Sequence, residues 1–247
     1  MMSFLRRVGF VLLAALPATA LAQDAGNGFL FGSPAGAVTL RGGWDVARAG
    51  GDLFAFTTSQ LTLNRSDFSS PNIGMDVTVH LFGRTSLTVS GDFAGMSKKS
   101  EFRNFIDNNN APIEQITKFR RVPLSVSVKQ YLTSPGREVG KFAWIPSRAA
   151  FFVGAGGGAQ YYKFEQDGDF IDFQNNMDVF HDTFKSDGWA PSAHALAGFD
   201  YTLSPRWAIT TEARYTWSRA DLSNDFSGFK PLDLSGFMTN VGLTVRF

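Results

Sequence analysis

The sequence predicts an all-β chain: eight antiparallel strands closed into an up-and-down meander, a transmembrane β-barrel with four long extracellular loops. Three observations predict it. After Ala22 no stretch offers the roughly 20 consecutive apolar residues that a helical span requires. Apolar and polar residues instead alternate with period two in segment after segment. Ionisable residues fall on the face opposite the apolar one, which a dry soluble core does not tolerate.

The N-terminus reads as an export signal. Arg6 and Arg7 precede an apolar run from Val8 to Leu16, and Ala20-Leu21-Ala22 fits the small-residue cleavage rule. Residues 1–22 are therefore expected to be a signal peptide, residues 23–35 a periplasmic N-terminal segment, and residues 36–247 the barrel. No cysteine stands at the junction, which argues against a lipoprotein anchor. Loss of Arg6 and Arg7 takes the formal charge from +1 to −1, so no clustered basic surface and no nucleic-acid partner is expected. The composition, with 25 glycines, 25 phenylalanines and no cysteine, suits strands and turns held by pairing and packing.

Strand faces follow from the alternation. Val38, Leu40, Trp44 and Val46 face out in the first, and Ile73, Met75, Val77, Val79 and Leu81 in the second. The third shows Leu87, Val89 and Phe93. The fourth shows Val122, Leu124, Val126, Val128 and Leu132, with Gln130 a departure. The fifth, from Ala149 to Phe164, carries Gly154, Gly156 and Gly158 on its inner face, where they make room for bulky lumen side chains. The sixth turns Ala193, Ala195, Ala197, Phe199, Tyr201 and Leu203 outward, and the seventh Trp207, Ile209, Ala213, Tyr215 and Trp217. The eighth alternates from Phe237 through Val241, Leu243 and Val245 to Phe247. Trp207 and Trp217 are ten residues apart, about 25 Å along the membrane normal at the usual strand tilt, which matches the height of an apolar band with aromatic girdles.

Gly83-Arg84 and Ser204-Pro205-Arg206 read as tight turns. Long polar segments join strands one to two, three to four, five to six and seven to eight. Short turns face the periplasm in such barrels, so both termini are expected there, with localisation in the bacterial outer membrane. The link from Thr133 to Arg148 is expected to be an extended periplasmic turn whose Phe142, Trp144 and Ile145 rest on the rim. Pro123 and Pro191 cannot donate to a ladder and are expected at the extracellular strand ends.

The closing segment GFMTNVGLTVRF resembles the last strand of bacterial outer-membrane barrels, which end on an aromatic residue. That resemblance implies Phe247 as the signal read by the barrel-assembly machinery. From Gly36 to Phe247 the pattern and topology resemble the small outer-membrane barrel proteins related to outer-membrane proteins W and X.

On the inner face lie Arg41, Asp45, Asp76, His80, Asp92, Lys129, Asp200, Glu212, Arg214 and Arg246, a polar network expected to fill the lumen. Glu212 is expected to pair with Arg41, Arg214 or Lys129 and plug the barrel. His80 and His194 read as members of that network. His181, among Asp178, Asp182 and Asp187, reads as a solvated loop histidine, because VFHDTFKSDG lacks metal-ligand spacing. The GAGGGA run sits within a strand and lacks the Lys-Ser or Lys-Thr of a phosphate loop. No cofactor, metal site or catalytic residue is expected, and no Ser–His pair falls in register near a membrane edge. Phenylalanines crowd the loops: Phe54, Phe56 and Phe68 in the first, Phe102 and Phe105 in the second, Phe170, Phe173, Phe180 and Phe184 in the third, Phe226 and Phe229 in the fourth. They are expected to pack on one another, with the second and third loops in contact. Two function classes follow: a structural or surface-interaction barrel meeting outer-membrane lipid and lipopolysaccharide, or a narrow conduit for small hydrophobic molecules. A lipid-modifying enzyme ranks third.

Overall fold

The computed structural model describes residues 28–107, 110–140, 142–172 and 177–247. The expected signal peptide and Phe173 lie outside them. Eight long strands form the body: β1 Gly36–Ala47, β2 Ser70–Phe82, β3 Thr85–Ile106, β4 Pro112–Tyr131, β5 Ala149–Asp172, β6 Asp178–Thr202, β7 Trp207–Ala220 and β8 Gly236–Arg246. Each pairs antiparallel with its neighbours in sequence, and β8 returns to β1. Leu243 sits opposite Leu40 at the closure, so the ring of eight has no free edge along the shared register.

The alternation of burial is that of an inside-out protein. Trp44, Val89, Val126, Trp207 and Val241 point outward and are exposed, and Val77, Ile209, Tyr215, Val245 and Phe247 are half-buried on the same face. With Leu40, Ile73, Leu124, Phe151 and Leu243 they form an apolar belt around the wall. A belt of this extent is what lipid, rather than water, accommodates. No helix among the described residues is long and apolar enough to cross a membrane.

The strands differ greatly in reach. β3 to β6 run on past the belt, and the β5–β6 ladder continues in register from Ala149↔Tyr201 to Asp172↔Asp178. The second and third polar connections are thus themselves tall β-hairpins, whose threonines, aromatics and paired charges sustain cross-strand contacts. Pro123 and Pro191 consequently lie inside strands, not at their ends. The β3–β4 ladder is interrupted opposite Pro123, between Gly91↔Leu124 and Ala94↔Arg121. Pro191 stands one residue beyond Ser192↔Ser218, where β6 and β7 part company. In each case the missing N–H coincides with a gap in one ladder.

Two loops fold over the loop-side opening. Between β1 and β2 lie helix α1 (Asp52–Gln60) and a 3₁₀ turn at Arg65–Phe68. Between β7 and β8 come a 3₁₀ turn, Asn224–Phe226, and a short pairing of Leu232–Asp233 with β7. At the turn-side end, Gly136–Val139, Ala143–Pro146 and Leu30–Phe31 form a three-stranded sheet. The described residues of the 133–148 link thus form β-structure, which recruits part of the N-terminal segment. Trp144 is buried with Arg246 of the barrel over its ring, but Phe142 is 75% exposed, contrary to the expectation that it rests on the rim.

Candidate functional site

Strand alternation delivers six charged side chains to the middle of the lumen, one or more from each of β1, β2, β3, β4 and β7. Arg41 contacts Asp92 at 2.7 Å, Glu212 at 2.9 Å and Asp76 at 3.0 Å. Glu212 also receives Lys129 Nζ at 2.7 Å and Arg214 Nη2 at 2.8 Å. Lys129 stands 3.9 Å from Asp76, and Arg214 3.7 Å from Asp92. Arg214 donates further to Ser125 and Ser90. Three cations face three anions, and all six are almost fully buried. Burial on this scale is tolerable because each charge is paired and hydrogen-bonded. Glu212 touches all three cations, so it is the hub of the cluster.

The other inward charges form separate layers. Towards the turn-side end, Asp200 accepts from Tyr131 and Thr210, each at 2.7 Å, and a chain of hydroxyls continues through Thr244 to Thr39. Arg246 donates to Thr202 and lies over the Trp144 ring, and His80 bonds Ser86. Tyr131, Ala150, Phe152 and Leu196 form an apolar knot at this level, with Lys129 Nζ 4.8 Å from the Phe152 ring centre. Towards the loop-side end, Arg121 pairs with Asp45 at 2.7 Å, and Asn72 donates to Asn240. Arg121 is missing from the sequence-derived set. It precedes the clear part of the fourth strand, yet it shares inward parity with Ser125, Ser127 and Lys129, and that parity was the available signal.

The glycine row on β5 explains how distant strands meet. A Cβ at Gly156 would lie 2.0 Å from the Val126 carbonyl oxygen and 2.9 Å from the His194 ring. With no side chain there, His194 on β6 reaches across β5 and its Nε2 comes within 2.7 Å of Ser127 Oγ on β4. Two Ser–His contacts thus exist, contrary to expectation: this one, between strands that are not neighbours, and His80–Ser86 at 2.7 Å, in register beside the β2–β3 turn. His194 and Ser127 are both buried inside the packed wall, so their pair makes a structural hydrogen bond without access for a substrate.

Above the lumen the loops build a second core. Phe54 and Phe68 from the first loop meet Phe119 and Phe164 on the tall hairpins, with ring centres 4.7–6.5 Å apart. Phe226 from the fourth loop joins at 5.5 Å from Phe164, and Leu232 and Leu234 complete the seal. The expected contact of second with third loop is only part of this cap, which the first and fourth loops complete. Outside it, Glu165 receives Lys118 at 2.8 Å and Lys163 at 2.5 Å. Hydrogen bonds from Lys118 and then Lys163 hold its carboxyl down at about 2. His181 lies exposed on the hairpin, its Nδ1 3.0 Å from Asp169 on the opposite strand. Among the described residues no cluster of His, Asp and Glu could hold a metal ion.

No family model matches this chain, and no curated protein does. Solved structures do. Neisserial surface protein A is 9% identical, with 87% of this chain and 99% of that one aligned at a TM-score of 0.45. OprG, an outer membrane protein of Pseudomonas aeruginosa, is 13% identical over 88% and 99%, at 0.46. Escherichia coli outer membrane protein W is 14% identical over 87% and 100%, at 0.38. At such identities and scores the likeness extends to barrel architecture alone; the strand ring and its register carry the fold assignment here.

Proposed function

We propose that this protein is an outer-membrane barrel with a closed lumen, serving as a rigid mount for the folded cap and hairpins it presents at the cell surface. The observation that carries the reading is the buried six-charge cluster centred on Glu212. An eight-stranded barrel has an interior just wide enough for side chains to fill, and here charged, hydroxyl and aromatic side chains occupy it at three successive levels. The cluster is neutral, so it neither attracts ions by net charge nor offers an apolar path. This favours a structural or surface-interaction role, towards lipid, lipopolysaccharide or another surface, over a conduit for small hydrophobic molecules. It also weighs against catalysis at mid-lumen, since the Ser127–His194 pair there is sealed.

The reading places short turns in the periplasm and the cap outside, as the usual asymmetry of such barrels suggests. Absence of native cysteine makes that testable. Single-cysteine variants Ser227→Cys, in the loop before β8, and Ser204→Cys, in the β6–β7 turn, are treated on intact cells with a membrane-impermeant maleimide. Ser227→Cys is expected to label on whole cells and Ser204→Cys only after lysis. The opposite pattern, or recovery of the protein outside the outer-membrane fraction, would reject this placement.

A further inference from the structure

The outer wall changes chemistry abruptly where the first and fourth loops begin. Val46 on β1, Phe237 on β8 and Tyr215 on β7 lie in one row across the closure, and Trp217 is the next outward residue on β7. The outward positions that follow are cationic: Arg219 on β7 and Arg48 just past the end of β1. Two residues of tilted strand rise about 5 Å along the membrane normal. A headgroup layer is about 5–7 Å deep on each side of the hydrocarbon, so both side chains start inside it.

Loop packing gathers these cations around a cleft. The Asp52 carboxylate at the head of α1 accepts the Lys230 backbone N–H at 3.1 and 3.2 Å, which fixes the fourth loop beside the Gly50-Gly51 turn. Asp233 stands opposite Arg219 in the short ladder after β7, and its Oδ2 lies 3.6 Å from Arg48 Nε. A Cβ on Gly50 would come 2.6 Å from that same oxygen, so the bare turn is what lets the carboxylate in. The resulting cleft, about 300 Å³, is lined by Arg48, Arg219, Lys230 and Asp233 with the two glycines. Three cations against one carboxylate leave a net charge of +2, a local excess that the near-neutral balance of the whole chain hides. Among the described residues the side chains of Arg219 and Lys230 make no ion pair. Lys98, Lys99, Lys118 and Lys163, elsewhere on the loop side, each have a carboxylate within 3.5 Å.

We propose that this cleft binds the phosphate monoester of a membrane lipid's headgroup. A monoester carries about −1.5 to −2 at pH 7, which matches the cleft, whereas a phosphate diester carries a single charge. Arginine offers phosphate oxygens paired donors, and lysine adds a point charge. Asp233 accepts the Ser235 N–H as well as facing Arg48, so it holds that guanidinium at the cleft. Acyl chains of the same lipid would run down over Trp217 and Phe237 on the belt below, a contact that a free phosphate cannot make. The inference deepens the surface-interaction reading by naming the lipid group. It needs only the membrane span, and holds on whichever side the loops lie.

The probes are short-chain phosphatidic acid, a monoester, short-chain phosphatidylglycerol, a diester, and inorganic phosphate. Full-length protein in neutral detergent micelles is titrated with each, and bound copies are counted by native mass spectrometry. One saturable phosphatidic acid is expected, held about tenfold tighter than phosphatidylglycerol, the ratio that one further charge-assisted hydrogen bond supports. Inorganic phosphate is expected to bind at least about tenfold more weakly than phosphatidic acid, for want of the chains. Arg219→Gln/Lys230→Gln should bring the two lipids within about twofold of each other. Lys98→Gln/Lys99→Gln removes the same formal charge from paired cations and should leave the ratio unchanged. Heat-modifiable gel mobility shows that each variant is folded. Equal binding of the two lipids by the wild-type protein would overturn the proposal. So would a preference that survives Arg219→Gln/Lys230→Gln, or one lost equally in Lys98→Gln/Lys99→Gln, which would be a net-charge effect. Inorganic phosphate bound as tightly as phosphatidic acid would overturn the lipid assignment. Micelles have no sides, so reversed labelling of Ser227→Cys would reject the sidedness alone and leave these ratios untouched.

Discussion

Replacing Glu212 by Gln keeps the side chain's shape and removes one negative charge from a place that water does not reach. Arg41 would retain Asp76 and Asp92, and Arg214 would retain Asp92 at 3.7 Å with two serine hydroxyls. Lys129 would fare worst, with Asp76 at 3.9 Å its nearest remaining carboxylate. Neutralising one partner of a buried pair costs about 3–5 kcal/mol, because it leaves an uncompensated charge. A loss of that size is expected in urea-induced unfolding of the barrel from lipid vesicles, followed by tryptophan fluorescence. The double variant Glu212→Gln/Lys129→Met restores the balance of two cations and two anions. It should therefore recover about 2 kcal/mol or more relative to the single change, a non-additivity that contacting residues show. A Glu212→Gln barrel within about 1 kcal/mol of wild type, or a double variant no more stable than the single, would refute the claim that the cluster acts as one neutral unit.

Other substitutions probe the wall and the cap. Gly158→Ala would set a Cβ 2.0 Å from the Leu124 carbonyl oxygen and 2.7 Å from the Ser125 Cα. Backbone must shift to admit it, and a loss of about 1–3 kcal/mol is expected in the same unfolding assay. Phe54→Ala removes a fully buried ring that contacts Phe68, Phe119 and Phe164. It should cost the cap about 3–5 kcal/mol, read as faster proteolysis within residues 48–69 while the barrel keeps its heat-modifiable mobility. Glu165 gives a pH signature. Its folded-state value is depressed, so its contribution is complete above the ordinary glutamate range, and falls away as pH drops from about 4.5 towards about 2. Amide protection factors in the Lys118–Glu165 region, with the intrinsic pH dependence of exchange divided out, should fall across that window, and Glu165→Gln should remove the fall.

The barrel was legible because period-two alternation leaves each strand only one way to face, and a slip of one residue would reverse the whole strand. That the first strand closes on the last was legible in the even count of alternating segments. Glu212, Arg41, Lys129 and Arg214 were legible from the alternation, as like-parity residues opposite an apolar face. The partners of each charge were not, since they depend on stagger around the ring. His194 and Ser127 meet only because Gly156 leaves the intervening strand bare. The tall hairpins escaped notice because Phe102 and Phe170 sit among Asp, Asn and Lys, where polar composition masks strand propensity above the belt. Phe54 and Phe226 lie 172 positions apart in the chain yet share one core, a contact that no local period encodes.

Conductance tests the closed lumen most directly. Purified wild-type protein, refolded and inserted into a planar lipid bilayer in molar salt, is expected to leave the membrane silent. The Glu212→Ala/Arg41→Ala variant removes the hub and the guanidinium that contacts all three anions, and brief openings are expected from it under the same voltage. Sustained, stepwise ion conductance from the wild-type protein would contradict the account.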